Sequence, residues 1–510
     1  MNESAMKIEL PNSWKLVPLG EFVLNEKGKK PKRESKERVT DFNIPYIDIA
    51  AFEKGIIKSW TNGEGCRFCH EDDFLMVWDG SRSGLVGKGM SGALGSTLVR
   101  INFPEIVNNY AFYFLRSKFS EINTRAKGVG IPHVDPNLLW NYRFPIPPIN
   151  EQKRIVAKIE EFFSELDKGI ESLKTAREQL KVYRQAVLKH AFEGKLTADW
   201  REKNKDKLES AEQLLIRIKR EREEHYQQQL KEYAAAIKAW EKNGEKGKKP
   251  SKPSKPKNFT TERSTFSDVP NSWVWECIGN LNTEIFDGPF GSNLKTSDYI
   301  DEGVRVIRLE NIGQMEFIED KYSYISEEKY ESIKKHTVHP GDIIFSSFII
   351  ENIRLVILPE NIERAINKAD CFCVRVNGTL LRKDYLATFL LTRHAYKQIE
   401  SEIHGIGRPR INTTQLKSFL VPVCSSAEQD EIMAELSKTL SLILNAENTI
   451  DGELQKSEAL RQSILKKAFS GQLVAQDPND EPASVLLKRI RAEKESQSPQ
   501  RKTKSKRGAA

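Results

Sequence analysis

Residues 145–197 recur at 422–474, displaced by 277 positions throughout. Glu151-Gln152 returns as Glu428-Gln429, Ile155 as Ile432, and Ala191-Phe192-x-Gly194-x-Leu196 as Ala468-Phe469-x-Gly471-x-Leu473. A front anchor repeats as well: Pro11-Asn12-Ser13-Trp14 reappears as Pro270-Asn271-Ser272-Trp273, at an offset of 259. The two offsets make the stretch between anchors 18 residues longer in the second copy. Internal duplication constrains architecture before any local signal does. Alike ends around unlike middles predict one frame that holds two different readers.

The chain has 510 residues, enough for several domains. No apolar run approaches bilayer length, so no membrane is expected as a partner. The first ten residues carry acids and lack an apolar segment, unlike a secretory signal. Six cysteines in so long a chain do not make a disulfide framework, and a cytoplasmic location is expected. The net charge of +8 is unevenly placed. Residues 242–257 carry +6 and 488–510 carry +7, which leaves −5 for the rest. Bulk charge of the folded parts is therefore poor evidence for nucleic-acid binding. The basic runs read as solvated linker and tail, able to add weak, salt-sensitive phosphate affinity.

Strand-length apolar runs occur at 44–49, 75–78 and 97–101, separated by Gly-rich turns, and a helix is expected over 109–122. The second copy keeps the order, with runs at 304–309, 343–345, 355–358 and 372–376 and then a helix over 384–399. Tyr110, Phe114 and Leu115 correspond to Tyr385, Phe389 and Leu390. The expected fold class is α+β: two α/β domains in tandem pseudo-repeat, separated by two long antiparallel coiled-coil helices. The first helix has its apolar seam at Ile155, Ile159, Phe162, Leu166, Ile170, Leu173, Ala176, Leu180, Tyr183, Val187 and Ala191. The second has it at Ile432, Leu436, Leu440, Ile443, Ala446, Ile450, Leu454, Leu460, Ile464 and Ala468. The first seam steps by three and four, as in a coiled coil, and the second does so until it blurs near Gly452 and Ser457; helices of about 40 residues need a partner along such a seam. Asn150 and Ser425 or Ser426 are the expected N-caps.

The expected boundaries are 11–149 for the first variable domain, 150–194 for a spacer helix, 195–243 for a helical extension and 244–269 for a flexible basic linker. The second variable domain covers 270–426, its spacer helix 427–472, and a helical extension with a disordered basic tail 473–510.

Catalytic signatures are missing. There is no Gly-x4-Gly-Lys-Ser/Thr loop, and Gly128-Val129-Gly130 and Gly405-Ile406-Gly407 lack a strand–turn–helix setting. Asp135-Pro136-Asn137-Leu138 faintly resembles the loop that holds an exocyclic amine in amino-methyltransferases. It lacks the second proline and the aromatic, so a turn is expected. Cys66-x-x-Cys69-His70 matches the haem-attachment string, but attachment requires export. Zinc ligation is its alternative, and no metal is expected. Cys371 and Cys373 fall on one face of a strand and read as buried structural thiols.

The frame resembles the specificity subunit of type I restriction–modification enzymes. The matching residues are Pro-Asn-Ser-Trp at each unit's start, Pro-x-Pro-Pro-x-x-Glu-Gln at 145–152, Arg184-Gln185-Ala186-Val187-Leu188 followed by Gly194-Lys195-Leu196-Thr197, and the second-copy equivalents from Arg461 to Leu473. Gly-Asp-Ile-Ile at 341–344 and Gly-Pro-Phe-Gly-Ser at 288–292 fit the same family. Cys424-Ser425-Ser426 departs from Pro148-Ile149-Asn150 and leaves the second turn less rigid. The resemblance implies a non-catalytic chain. Each variable domain would read half of a split, asymmetric sequence in double-stranded DNA. Two methyltransferase subunits and two restriction (motor–nuclease) subunits would join it. Cofactors are expected on those partners alone: S-adenosylmethionine, ATP and Mg.

Within that setting the DNA-contact candidates are Ser81, Arg82, Ser83 and Lys88 in the first domain. In the second they are Ser292, Asn293, Lys295, Ser346, Ser347, Arg408 and Arg410. Glu151, Gln152, Ile155, Glu428, Gln429 and Ile432 are the candidates for partner docking, with capping of the helix start as the alternative for the acids. Two other functions remain open: a two-armed coiled-coil adaptor that binds no DNA, and a self-sufficient methyltransferase, against which the missing catalytic loops count.

Overall fold

The computed structural model describes residues 10–128, 130–247, 249–261, 268–350, 352–400 and 409–497. The N-terminal segment, most of the basic tail, Arg408 and Gly405-Ile406-Gly407 lie outside the described residues. The chain forms two compact units, one from residues 1–175 with 450–510, the other from 176–449.

Both units are built on the same three β-layers. An all-antiparallel sheet runs Leu24–Lys27, Leu98–Asn102, Phe74–Val77, Val86–Lys88 in the first unit. In the second it runs Thr283–Phe286, Cys371–Val376, Ile343–Ser346, Leu355–Ile357. A mixed sheet centres on one parallel pair, Ile44–Ile47 with Gly92–Leu94, or Val304–Ile307 with Ala365–Asn367. A two-stranded ribbon closes each unit, Lys15–Pro18 on Arg143–Ile146 and Val274–Cys277 on Leu420–Val423. Strand alternation divides the interior. Cys371 and Cys373 enter one core with Ile344, while Phe372 and Val374 enter the other with Phe345.

Each single helix expected beside the sheets is broken in two. The first pair is Asn108–Ser117 and Phe119–Thr124, the second Lys383–Leu390 and Arg393–Glu400. The same device sits at both breaks. The Ser117 hydroxyl donates to the Phe114 carbonyl and the Thr392 hydroxyl to that of Phe389, each at 2.6 Å. Such back-bonding competes with continuation of the helix.

The long helices are Ile149–Phe192 and Ser426–Phe469, 44 residues each. Asn150 falls inside the first turn rather than at the cap, and the Pro148 carbonyl accepts from Gln152 N–H. Ser425 does cap, since its hydroxyl accepts from Glu428 N–H at 3.3 Å. The structural register also sets Cys424 opposite Pro147. The Gln429 amide donates to the Cys424 carbonyl as the Gln152 amide does to that of Pro147.

Within each unit the start of one long helix lies antiparallel to the end of the other. Arg461 pairs with Asp167 in the first unit, and Arg184 with Glu447 at 2.9 Å in the second. Seam residues near the recognition domains are buried, among them Ile155, Ile159, Ile432 and Leu436. The seam slips by one residue late in each helix. Tyr183 and Leu460 are about half exposed, and Arg184 and Arg461 stand in their places. Lengthwise pairing of two helices leaves room for an arginine whose head reaches a carboxylate on the neighbour.

A further helix, Ala211–Lys242, starts with a capping box between Ser210 and Gln213, and Ala483–Gln497 echoes its opening. Leu214 and Ile218 are buried in one, Leu486, Leu487 and Ile490 in the other.

Candidate nucleic-acid interface

The repeated motifs are the joints of each unit. The Trp14 indole donates to Glu151 Oε2 at 3.0 Å, and Gln476 donates to Glu151 Oε1 at 2.5 Å. The Trp273 indole donates to Glu428 Oε2 at 2.8 Å, while Thr197 and Arg201 reach Glu428 Oε1 at 2.9 and 2.8 Å. Gln152 Oε1 accepts from Val107 N–H and Gln429 Oε1 from Arg382 N–H, both at 2.9 Å. The glycine after each long helix has φ near +70°, and a Cβ there would strike a proline ring: Pro270 at Gly194, Pro11 at Gly471. The end of one repeat's helix therefore closes onto the start of the other repeat's recognition domain.

Glu151, Gln152, Ile155, Glu428, Gln429 and Ile432 are each at most 1% exposed. Their polar groups are engaged inside the unit.

Four loops of the second unit meet around Asp370, a left-handed residue at φ +70°. Asp370 N–H donates to Asp287 Oδ1, and Ser347 Oγ donates to Asp370 Oδ1 at 3.0 Å. Arg410 pairs with Asp370 at 3.4 Å, and its guanidinium lies 4.7 Å over the Phe348 ring. Phe348 and Arg410 form an isolated β-bridge. Burial pushes the Asp287 carboxyl up to about 6, against hydrogen bonds from Gly288 and Asp370 N–H. Burial lowers the His336 imidazole, whose Nδ1 lies 2.7 Å from the Asp287 carbonyl.

Ser292, Asn293 and Lys295 are exposed on the loop leaving Asp287, while Arg410 has a half-exposed side chain. Ser346 and Ser347 are buried and bonded internally, to the Phe348 carbonyl and to Asp370, so neither hydroxyl can reach a base.

The first unit has an equivalent bridge between Asp79 and His133, and His133 aligns with Arg410 at the offset of 277. Lys27 pairs with Asp79 at 2.7 Å, and Arg82 with Glu53 at 2.9 Å. Ser81 and Arg82 are exposed, and Lys88 is exposed at the end of its strand. Ser83 is buried and oriented inward. Glu53, Phe348 and Asp370 carry no local sequence signal, because their partners lie tens of residues away and meet only in the fold.

Asp135 caps the helix Pro136–Trp140, its Oδ1 accepting from Asn137 N–H at 3.0 Å. Asn412 does the same for Thr413–Lys417 through Gln415 N–H at 2.9 Å. The turn expected there is thus a cap. None of the six cysteines is in a disulfide. Cys69 is buried with its thiol pushed up to about 11, and no group of three metal-ligating side chains occurs among the described residues. Among the described residues, no helix is long and apolar enough to cross a membrane.

The model of the type I restriction modification DNA specificity domain matches residues 11–181 and 298–456. The MjaVIII specificity subunit of Methanocaldococcus jannaschii is 23% identical over 92% of this chain and 96% of its own length. The EcoDI specificity subunit of Escherichia coli is 24% identical over 95% of this chain and 96% of its own. In fold, the chain is similar to one solved for complex assembly and conformational transition of the type I R-M system. The TM-score is 0.61 at 19% identity, covering 91% of this chain and all of the other. With two model matches lying on the duplicated frame, the chain belongs to the type I restriction–modification specificity subunit family.

Proposed function

We propose that each unit reads one half of a bipartite, asymmetric sequence in duplex DNA, and that the long helices fix the separation of the halves and carry the partner subunits. One observation supports this most. The joints of the two units share a Trp–Glu hydrogen bond and a buried Gln, while the exposed polar residues around their bridges differ, Arg82 and Lys88 in one and Arg410, Asn293 and Lys295 in the other. A common scaffold with unlike loops is what two independent readers of different bases require. A 44-residue helix is about 66 Å long, nearly two turns of B-DNA. Methylation and cleavage would belong to the methyltransferase and motor–nuclease partners. Those subunits, two of each, would hold S-adenosylmethionine, ATP and Mg.

The test exchanges residues 11–144 for those of another family member and maps methylated sites in a host carrying the partner subunits. One half of the consensus changes and the spacer does not. A change in both halves, or in spacer length, overturns independent reading, and no sequence preference at all favours the protein-adaptor alternative.

A further inference from the structure

The helix Ala211–Lys242 buries only Leu214 and Ile218. Beyond them, half-buried positions at 222, 225, 226, 229, 230, 233, 237 and 240 form a stripe along one face. The basic segment expected to be a free linker lies back along it. The Lys249 ammonium sits 5.4 Å over the Trp240 ring, and the Trp240 indole donates to the Gly247 carbonyl. At the other end Arg222 donates to Asn258 Oδ1 at 3.0 Å and to the Lys257 carbonyl. Phe259 then exchanges backbone hydrogen bonds with the Asn280 side chain. Between these ends burial has a period of three: Pro250, Pro253, Pro256 and Phe259 are half-buried and the residues between them exposed.

Three residues per turn is the polyproline II repeat, and each proline also holds its predecessor extended. The lengths agree. From Trp240 to Arg222 the helix climbs about 27 Å, and nine residues from Lys249 to Asn258 span about 28 Å in polyproline II. The Lys-Pro-Ser repeat thus puts prolines against the helix and lysines outward.

We propose that this strap is a preformed cationic rail for the phosphate backbone of duplex DNA flanking the recognised bases. Lys252, Lys255 and Lys257 are exposed, and no acid occurs between Lys246 and Thr261. Lys252 and Lys255 stand one polyproline turn apart, about 9 Å. A lysine row fixed on a helix loses less conformational entropy on meeting phosphates than one on a free linker. The rail deepens the DNA-reading function proposed above and rests on it.

The test uses the full chain assembled with its methyltransferase subunits. Binding to duplexes carrying the methylated consensus, with long or short flanks, is measured across a salt series for wild type, K252Q/K255Q/K257Q and P250A/P253A/P256A. The lysine variant should lose on the order of tenfold in affinity or more at low salt, and its salt slope should fall by about two to three. The loss should appear on long flanks and leave the consensus unchanged. The proline variant keeps the charge and should lose affinity to a smaller degree. Equal slopes in wild type and lysine variant overturn the rail. So does a lysine variant that releases the methyltransferase subunits while its DNA slope is unchanged, which would mark the strap as a protein contact. Failure of wild type to select any sequence counts against the reading heads. The rail is then judged on flank dependence alone.

Discussion

Trp14 and Glu151 stand 137 positions apart and share a buried hydrogen bond of 3.0 Å; Trp273 and Glu428, 155 apart, share one of 2.8 Å. The two joints differ in what else the carboxylate meets. Glu428 is ion-paired with Arg201 at 2.8 Å, whereas both hydrogen bonds to Glu151 come from neutral donors, Trp14 and Gln476. Burial accordingly raises the Glu151 carboxyl above its ordinary range.

The asymmetry predicts unequal tolerance. Glu428→Gln leaves Arg201 without its carboxylate and should cost about 3 kcal/mol. Glu151→Gln removes a charge that burial disfavours and should cost distinctly less. Denaturant unfolding of the two variants at neutral pH checks the order; equal losses would mean that Arg201 adds nothing.

Tyr110 and Tyr385 test whether the repeat is energetic as well as geometric. Their hydroxyls donate to the Pro145 and Pro422 carbonyls at 2.9 and 2.8 Å, and both rings pack on the phenylalanine that ends a long helix, Phe469 or Phe192. Tyr→Phe at either site should cost about 1 kcal/mol. Thermal unfolding that moved for one variant and not the other would break the equivalence.

How far the fold was legible follows from these residues. The duplication, the long helices and the strand order are periodic or repeated, so sequence carries them. The seam slip at Tyr183 and Leu460 was not legible, since it depends on an arginine finding a carboxylate on another helix. The same holds for the interface. Arg82 and Arg410 stood out as exposed basic residues, but Glu53 and Asp370 acquire meaning only through tertiary approach. The burial of Ser346 and Ser347 was not legible either, because it follows from the strand's continuation into the core. The repeated Glu-Gln pair is legible as a repeat, but the internal joint it builds with Trp14 or Trp273 appears only in the fold.

Asp287 gives a pH signature. Its carboxyl titrates near 6 in the folded unit against about 3.9 in an unfolded chain. The folded state then holds the extra proton between those values. Stability from this group is present below about pH 4 and is lost as pH rises through about 6. Asp287→Asn keeps an acceptor for Gly288 and Asp370 N–H and removes the burial penalty. At pH 8 it should stabilise the second unit by on the order of 1 kcal/mol, after allowance for solvent screening. The gain should vanish near pH 4. Unfolding midpoints at the two pH values, wild type beside variant, measure this directly, and a gain independent of pH would reject it.

Arg82 and Arg410 provide the sharpest test of independent readers. Each is held by one carboxylate, Glu53 at 2.9 Å and Asp370 at 3.4 Å, and each keeps just over half its side chain exposed. An arginine so poised can exchange its carboxylate for guanine O6 and N7 or for a phosphate. A base contact is worth about 1–3 kcal/mol of discrimination, whereas a phosphate contact weakens all sequences alike. Arg82→Ala should therefore relax positions in one half of the consensus only, and Arg410→Ala positions in the other half. Selection from a random duplex pool, with the methyltransferase subunits present, reads both at once. Uniform weakening with an unchanged consensus would assign the arginine to phosphate, and relaxation of both halves by either variant would contradict separate reading heads.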